Sequence, residues 1–266
     1  MKNHYIFLVL FFCFFFSFCQ EKISEKEKYL LSISKENFEK IDFKKYNLEE
    51  IISFCHKFYK DTLKTDAVMK NICYHKENIG IEQDSTYFGS ILYQQQNFID
   101  LIRLLKDKNH KNFLDIGSGN GEKLFLALCL GFEKTSGIEY ADSISKIAQK
   151  NWKSLIKNKK IELKIDDALK TSPQNLQADF VYMYSPIKDL SLMAKLYARC
   201  VKAMKNNSIL LEVRMVYSQE LRKLLFKNMP EIIGNFVLKK ENNQFYYLSW
   251  DSYKNKKWHL LKTIDK

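Results

Sequence analysis

Leu114-Asp115-Ile116-Gly117-Ser118-Gly119-Asn120-Gly121-Glu122 is the stretch from which the rest of the chain is read. Asn112 to Ile116 is a short apolar run of strand length, and three of the protein's eight glycines follow within five residues. Glycines clustered directly after a strand permit a tight turn and let backbone come close to a ligand. The stretch therefore predicts a strand, a ligand-binding loop and then a helix from Gly121 to Leu130.

Downstream, strands and helices alternate, which predicts an α/β domain built on a largely parallel sheet. Thr135 to Glu139, Ile161 to Ile165, Asp179 to Tyr184 and Ser208 to Val213 are the further strands. Helices are predicted over Ser143 to Asn158, Leu190 to Met204 and Gln219 to Asn228. The second of these is marked by Leu190, Met193, Tyr197, Cys200, Val201 and Met204 at helical spacing. Phe236 to Lys239 and Gln244 to Trp250 flank Lys240-Glu241-Asn242-Asn243 and predict a closing hairpin. Upstream, Glu21 to about Glu82 has one glycine, no proline and apolar residues at helical spacing, such as Leu48, Ile51, Ile52, Cys55 and Tyr59. It reads as a small helical segment, a packing cap or a substrate-recognition element. A further amphipathic helix carries Tyr93, Phe98, Leu101, Ile102 and Leu105. The domains expected are residues 1–19, a signal peptide or anchor; 20–85, the helical segment; and 86–266, the α/β domain.

Leu114 to Glu122 resembles the first motif of class I S-adenosylmethionine (SAM)-dependent methyltransferases. That resemblance implies a Rossmann-like, mostly parallel, seven-stranded sheet with a C-terminal antiparallel hairpin, and SAM as cofactor. It implies that Asp115 contacts the methionine end of SAM, directly or through water, and that Gly117, Gly119 and Gly121 underlie the cofactor. Gly137-Ile138-Glu139 ends the second strand with an acid placed to accept both ribose hydroxyls, because a carboxylate accepts only and can hold two O–H donors. Ile165-Asp166-Asp167-Ala168 ends the third strand. In the family an acid just before a small residue there bonds the adenine amino group, and Asp167 matches best. Tyr184 and Ser185, at the end of the fourth strand, are candidates for shaping the acceptor pocket; the Asp/Asn-Pro-Pro-aromatic run of base-methylating enzymes is missing. Tyr87-Phe88-Gly89 resembles a segment that closes over SAM in methyltransferases that modify protein lysine.

The rival is an NAD(P)-dependent oxidoreductase, whose fingerprint is G-x-G-x-x-G. Here the third glycine position holds Glu122, and a carboxylate beside a pyrophosphate is electrostatically wrong. The expected function is methyl transfer to a protein side chain or a small molecule. The alternative from another class is an exported or membrane-attached binding protein that keeps the fold without turnover.

Composition narrows the partners. The formal net charge is +12, yet only four basic residues are arginines, and the lysines are dispersed. Basic nucleic-acid footprints are clustered and favour Arg, so nucleic acid is disfavoured. The six cysteines (Cys13, Cys19, Cys55, Cys73, Cys129, Cys200) include no C-x-x-C pair, so no zinc site is expected. His56, His75, His110 and His259 are scattered and supply no evident general base. Tyr5 to Phe18 is apolar except for Ser17, follows one lysine and turns polar at Gln20-Glu21-Lys22. It is too short for a membrane span of about 20 residues and fits an export signal. Cleavage before Gln20, a lipoprotein-like Cys19 after Phe16-Ser17-Phe18, an uncleaved anchor and a misplaced start codon are all compatible with it. The expected location is membrane-attached or exported, with the cytoplasm as alternative.

Overall fold

The computed structural model describes residues 95–248 and 257–264. The signal-like residues 1–19, the segment 20–85, Cys55, Cys73 and Tyr87-Phe88-Gly89 lie outside the described residues. Among the described residues no helix is long and apolar enough to cross a membrane.

Helix α1 (Gln95–Leu105) leads into β1 (Asn112–Ile116), α2 (Glu122–Cys129), β2 (Lys134–Glu139), α3 (Asp142–Asn151), α4 (Lys153–Lys157) and β3 (Ile161–Ile165). Strand β4 (Phe180–Met183), helix α5 (Leu190–Ala203), β5 (Ser208–Met215) and α6 (Ser218–Leu224) come next. Strands β6 (Gly234–Glu241), β7 (Gln244–Leu248) and β8 (His259–Leu261) complete the sheet, in the order β3-β2-β1-β4-β5-β6-β7-β8. The first five strands are parallel and the last three are antiparallel additions. The order reverses between β1 and β4, and open α/β sheets bind ligands beyond the carboxyl ends of the strands at such a switch point.

Strand alternation sorts the core into two layers. Phe113, Phe180 and Tyr182 form an aromatic layer with Phe132 and with Phe98 of α1, whose ring stands edge-on to Phe113 at 6.0 Å and to Tyr182 at 5.1 Å. Leu114, Ile116, Val181, Met183 and Leu210 belong to the other layer, with Met193, Tyr197, Cys200 and Val201 of α5. Helix α5 begins where Asp189 Oδ1 accepts the Leu192 N–H at 2.8 Å, an N-cap that supports its start.

The α/β class, the parallel sheet and the antiparallel end match the sequence reading, with three differences. There are eight strands among the described residues rather than seven, because His259–Leu261 pairs with β7; three residues are too few to show a period. The helix expected over Ser143 to Asn158 is interrupted at Trp152, which leaves helical dihedrals (φ −107°, ψ 17°) as its indole reaches the glycine loop. The helix expected to reach Asn228 ends at Leu224, and Phe226 instead bridges to Thr263. The hairpin turn is Asn242-Asn243, with φ of 50° and 60°, a conformation Asn tolerates in two-residue turns.

Phe98 is fully buried between sheet and helix. Phe98→Ala is expected to lower unfolding free energy by about 3–5 kcal/mol in urea titration, because truncating a buried aromatic loses transfer energy and leaves a cavity.

Candidate cofactor site

The loop after β1 is held by its own backbone. The Gly117 and Ser118 N–H groups both donate to the Ile138 carbonyl, at 2.8 and 3.2 Å, and the Gly121 N–H donates to the Ser118 carbonyl at 2.9 Å. Gly117, Gly119 and Gly121 all have left-handed φ values, 79°, 55° and 78°. The space around two of them differs. A Cβ at Gly121 would lie 2.8 Å from the Trp152 indole, whereas a Cβ at Gly119 would meet nothing within 4 Å. The loop is therefore packed on its inner side and open at Gly119. Trp152 stacks on Phe125 at 4.9 Å and donates its indole N–H to the Asn120 carbonyl at 2.7 Å, fixing the loop's far end.

Two carboxyl groups converge here from adjacent strands. Asp115 sits opposite Gly137 and Tyr182 in the ladder and is buried. Burial pushes its carboxyl up to about 7, against the pull of Lys123 and with the repulsion of Glu139 and Glu122. Glu139, at the end of β2, accepts the Gly119 N–H at 2.8 Å on Oε2 and the Ala141 N–H at 2.9 Å on Oε1. These bonds orient the group and leave each oxygen a second lone pair for a hydroxyl donor. Burial raises the Glu139 carboxyl too, while the backbone donors lower it. Glu122, at the start of α2, is buried against Lys123 at 3.1 Å, and its N–H donates to Asn120 Oδ1 at 3.2 Å. The end of α2 that could hold a phosphate is thus already bonded and carries a carboxylate.

Asp167 follows β3 beside this group, since the Asp166 N–H donates to the Glu139 carbonyl at 3.0 Å. Its side chain is engaged: Oδ1 accepts the Leu169 N–H at 2.9 Å, and Oδ2 pairs with Lys170 at 3.1 Å. Tyr184 and Ser185 lie at the end of β4 and are half-buried. Ser185 has a φ of 39°, and both its N–H and its hydroxyl point to Glu212 Oε1, at 3.2 and 3.0 Å. Its hydroxyl also lies 3.2 Å from the Val213 carbonyl.

A separate cavity of about 340 Å³ opens at the opposite edge of the sheet, lined by residues including Leu105, Lys106, His110, Lys239 and Trp258. Its polar groups have partners within the protein: His110 Nδ1 accepts the Asp107 N–H, its Nε2 lies 3.1 Å from the Asn207 carbonyl, and Lys239 pairs with Glu241. The convergent carboxyl groups are at the glycine loop, not there.

The sequence profile of the family described as Conserved hypothetical protein 95, a methyltransferase-like family, matches residues 96–250, more than half of the chain. The chain belongs to this family. No curated protein matches it. The chain is similar to an RNA methyltransferase from Salinibacter ruber in complex with S-adenosyl-L-homocysteine, at 18% identity and a TM-score of 0.41, over 48% of this chain and 81% of that one. It is also similar to a SAM-dependent methyltransferase from Thiobacillus denitrificans in complex with S-adenosyl-L-homocysteine, at 17% identity and a TM-score of 0.36. That match covers 45% of this chain and 48% of the other, so the chain spans about half its length.

In this family member several site residues escape a reading of the sequence. Trp152 and Pro186 brace the glycine loop from distant positions, and only contact geometry reveals them. Gly137 had a signal: a glycine inside a strand marks close approach, and a Cβ there would lie 2.5 Å from Ser118 Oγ. Tyr140 and Ile165, half exposed at the ends of β2 and β3, flank Glu139 and Asp166. Glu212 also had one, as a lone acid in the apolar run Ile209 to Val213. It is fully buried, and burial pushes its carboxyl up to about 8, opposed by the Ser185 and Tyr217 groups around it.

Glu212 thus binds a proton in the folded protein that an unfolded chain releases near 4.5. The stability it contributes is fully present below that value and is lost as pH rises through about 8. Glu212→Gln should melt close to wild type at pH 5. At pH 9 it should be more stable than wild type, read as a higher Tm in thermal melts.

Proposed function

We propose that this protein is a SAM-dependent methyltransferase whose cofactor binds over Gly117–Gly121. The observation that carries the reading is the charge balance at the loop: Asp115, Glu122 and Glu139 lie within electrostatic reach of one another, with Lys123 as the cation that offsets them. Such a site favours a cationic ligand and repels a pyrophosphate. SAM carries an ammonium and a sulfonium against one carboxylate and no phosphate, a net positive charge, whereas the phosphates make NAD(P) net negative.

The residues fit the cofactor part by part. Asp115, desolvated and held near 7, gains a counter-charge when an ammonium approaches. Open space at Gly119 admits the ligand beside backbone, and Glu139 keeps lone pairs for two ribose hydroxyls. Tyr140 and Ile165 offer apolar surface for the adenine, with the Asp166-Asp167 turn at its edge. Asp167 would read its amino group through a lone pair that Leu169 and Lys170 leave open. SAM itself supplies the activated methyl group. The chain's own work is to orient the cofactor, exclude water and align an acceptor.

The acceptor is proposed to be a protein side chain or a small molecule. Val216 and Ile233 support this: they flank the paired Met215 and Gly234 in sequence and are exposed apolar residues, whereas a nucleic acid would call for cations.

Calorimetry on the purified protein tests the reading. S-adenosylhomocysteine should bind with micromolar Kd and NAD(P) should not bind at the loop. Asp115→Asn or Glu139→Ala should weaken binding by about tenfold or more, as loss of a charge-assisted hydrogen bond does. As pH falls below 7, protonation of Asp115 should weaken binding by up to about tenfold per unit, and Asp115→Asn should lose most of that dependence. NAD(P) binding, or unchanged affinity in both variants, contradicts the assignment. Cofactor binding with no labelled methyl transferred to any component of a cell extract identifies a binding protein without turnover.

A further inference from the structure

The geometry points to Glu212 as a positioning residue that clamps the Tyr184–Ser185–Pro186 corner onto the glycine loop. Ser208–Met215 is a strand whose neighbours in sequence are apolar, and a carboxyl group buried in it is unfavourable unless hydrogen-bonded. Glu212 makes two of its hydrogen bonds with one residue. Oε1 accepts from both the N–H and the hydroxyl of Ser185, 27 positions earlier, at the end of the neighbouring strand. Its other oxygen lies beside the buried Tyr217 hydroxyl, which also pulls its carboxyl down, but the well-aligned bonds are the two to Ser185.

What it holds is a strained residue. Ser185 has a φ of 39°, in the left-handed region that a serine rarely adopts unless its surroundings enforce it. That conformation turns the chain so that Pro186 packs on the loop: a Cβ at Gly117 would fall 2.9 Å from Pro186 Cβ. Met183 is paired with Ile116 on one side and with Glu212 on the other, so the two strand ends and the carboxyl lie at one level of the sheet. A continuous set of contacts thus runs from Glu212 through Ser185 and Pro186 to Gly117. It ties the acceptor side of the sheet to the cofactor side. Ser185 is a part of this clamp, and its hydroxyl faces the protein interior.

Hydrogen exchange on the full chain reads the clamp directly, because the Ser185 amide is one of its bonds. Glu212→Leu removes the acceptor, while Glu212→Gln keeps a carbonyl oxygen in the Oε1 position. In Glu212→Leu the amides of Ser185, Gly117 and Ser118 should exchange at least about tenfold faster, with Leu210 and Leu238 unchanged, as expected of local rather than global opening. Glu212→Gln should restore exchange to within about threefold of wild type, since it still accepts the bond. If Glu212→Leu does not fold, Ser185→Ala carries the test through the same three amides. Unchanged exchange in the variant that folds, or a Gln variant as disturbed as Leu, overturns the clamp.

S-adenosylhomocysteine affinity is the second readout, and it rests on the cofactor site proposed above. Affinity should fall about tenfold in Glu212→Leu and recover in Glu212→Gln, the expected size for loss of loop preorganisation. Undiminished affinity in a Leu variant whose exchange is accelerated overturns the coupling to the loop. Absence of binding by wild type counts against the cofactor site, whereas the exchange comparison still decides the clamp.

Discussion

A carboxyl group held almost out of water at the end of β1 is the constraint on which the site depends. Asp115 is set there by the ladder, between Gly137 and Tyr182, and cannot retreat to solvent without breaking the strand. Isolated, it is driven toward its neutral form, with its carboxyl near 7. The surrounding features make sense relative to it. The loop after it curls back onto the Ile138 carbonyl, Trp152 pins the far end, and Gly137 clears the space that Ser118 fills. Each of these keeps backbone close to the carboxyl while leaving Gly119 open.

Magnitudes favour a cation over a phosphate as the partner of this group. At about 4 Å two unit charges interact by roughly 4 kcal/mol under the effective screening of a partly buried site, far more than in bulk water. A pyrophosphate set beside Asp115, Glu122 and Glu139 would meet that term repeatedly with the wrong sign, and Lys123 is already paired with Glu122. The same term with the opposite sign makes an ammonium the natural guest. Second-layer residues then set how rigid the guest's bed is. Glu212, neutral near pH 7 and buried in the other layer, bears on the loop through the Ser185–Pro186 corner.

Much of this was legible in the chain before its fold. Strand ends could be placed because buried parallel strands are short apolar runs, and Asp115, Glu139 and the three glycines are local features of the first two of them. Contacts that close the site were not legible, because they join residues far apart: Trp152 to Asn120, Pro186 to Gly117, Glu212 to Ser185. Asp167 shows the opposite limit. Its position matched a pattern, but its side chain also serves its own turn and Lys170, which no pattern encodes. The eighth strand escapes the sequence because three residues carry no period, and the break at Trp152 because helical periodicity continues on both sides of it.

The central claim is that a SAM-type ligand lies along the glycine loop at the carboxyl edge of the sheet. Amide chemical-shift mapping during titration with S-adenosylhomocysteine tests it most directly. The account expects the largest changes at Gly117 to Gly121, Tyr140 and Asp166 to Ala168, with little at the opposite edge. Changes concentrated at Leu105 to His110 and Trp258, around the other cavity, or none at the glycine loop, would contradict it.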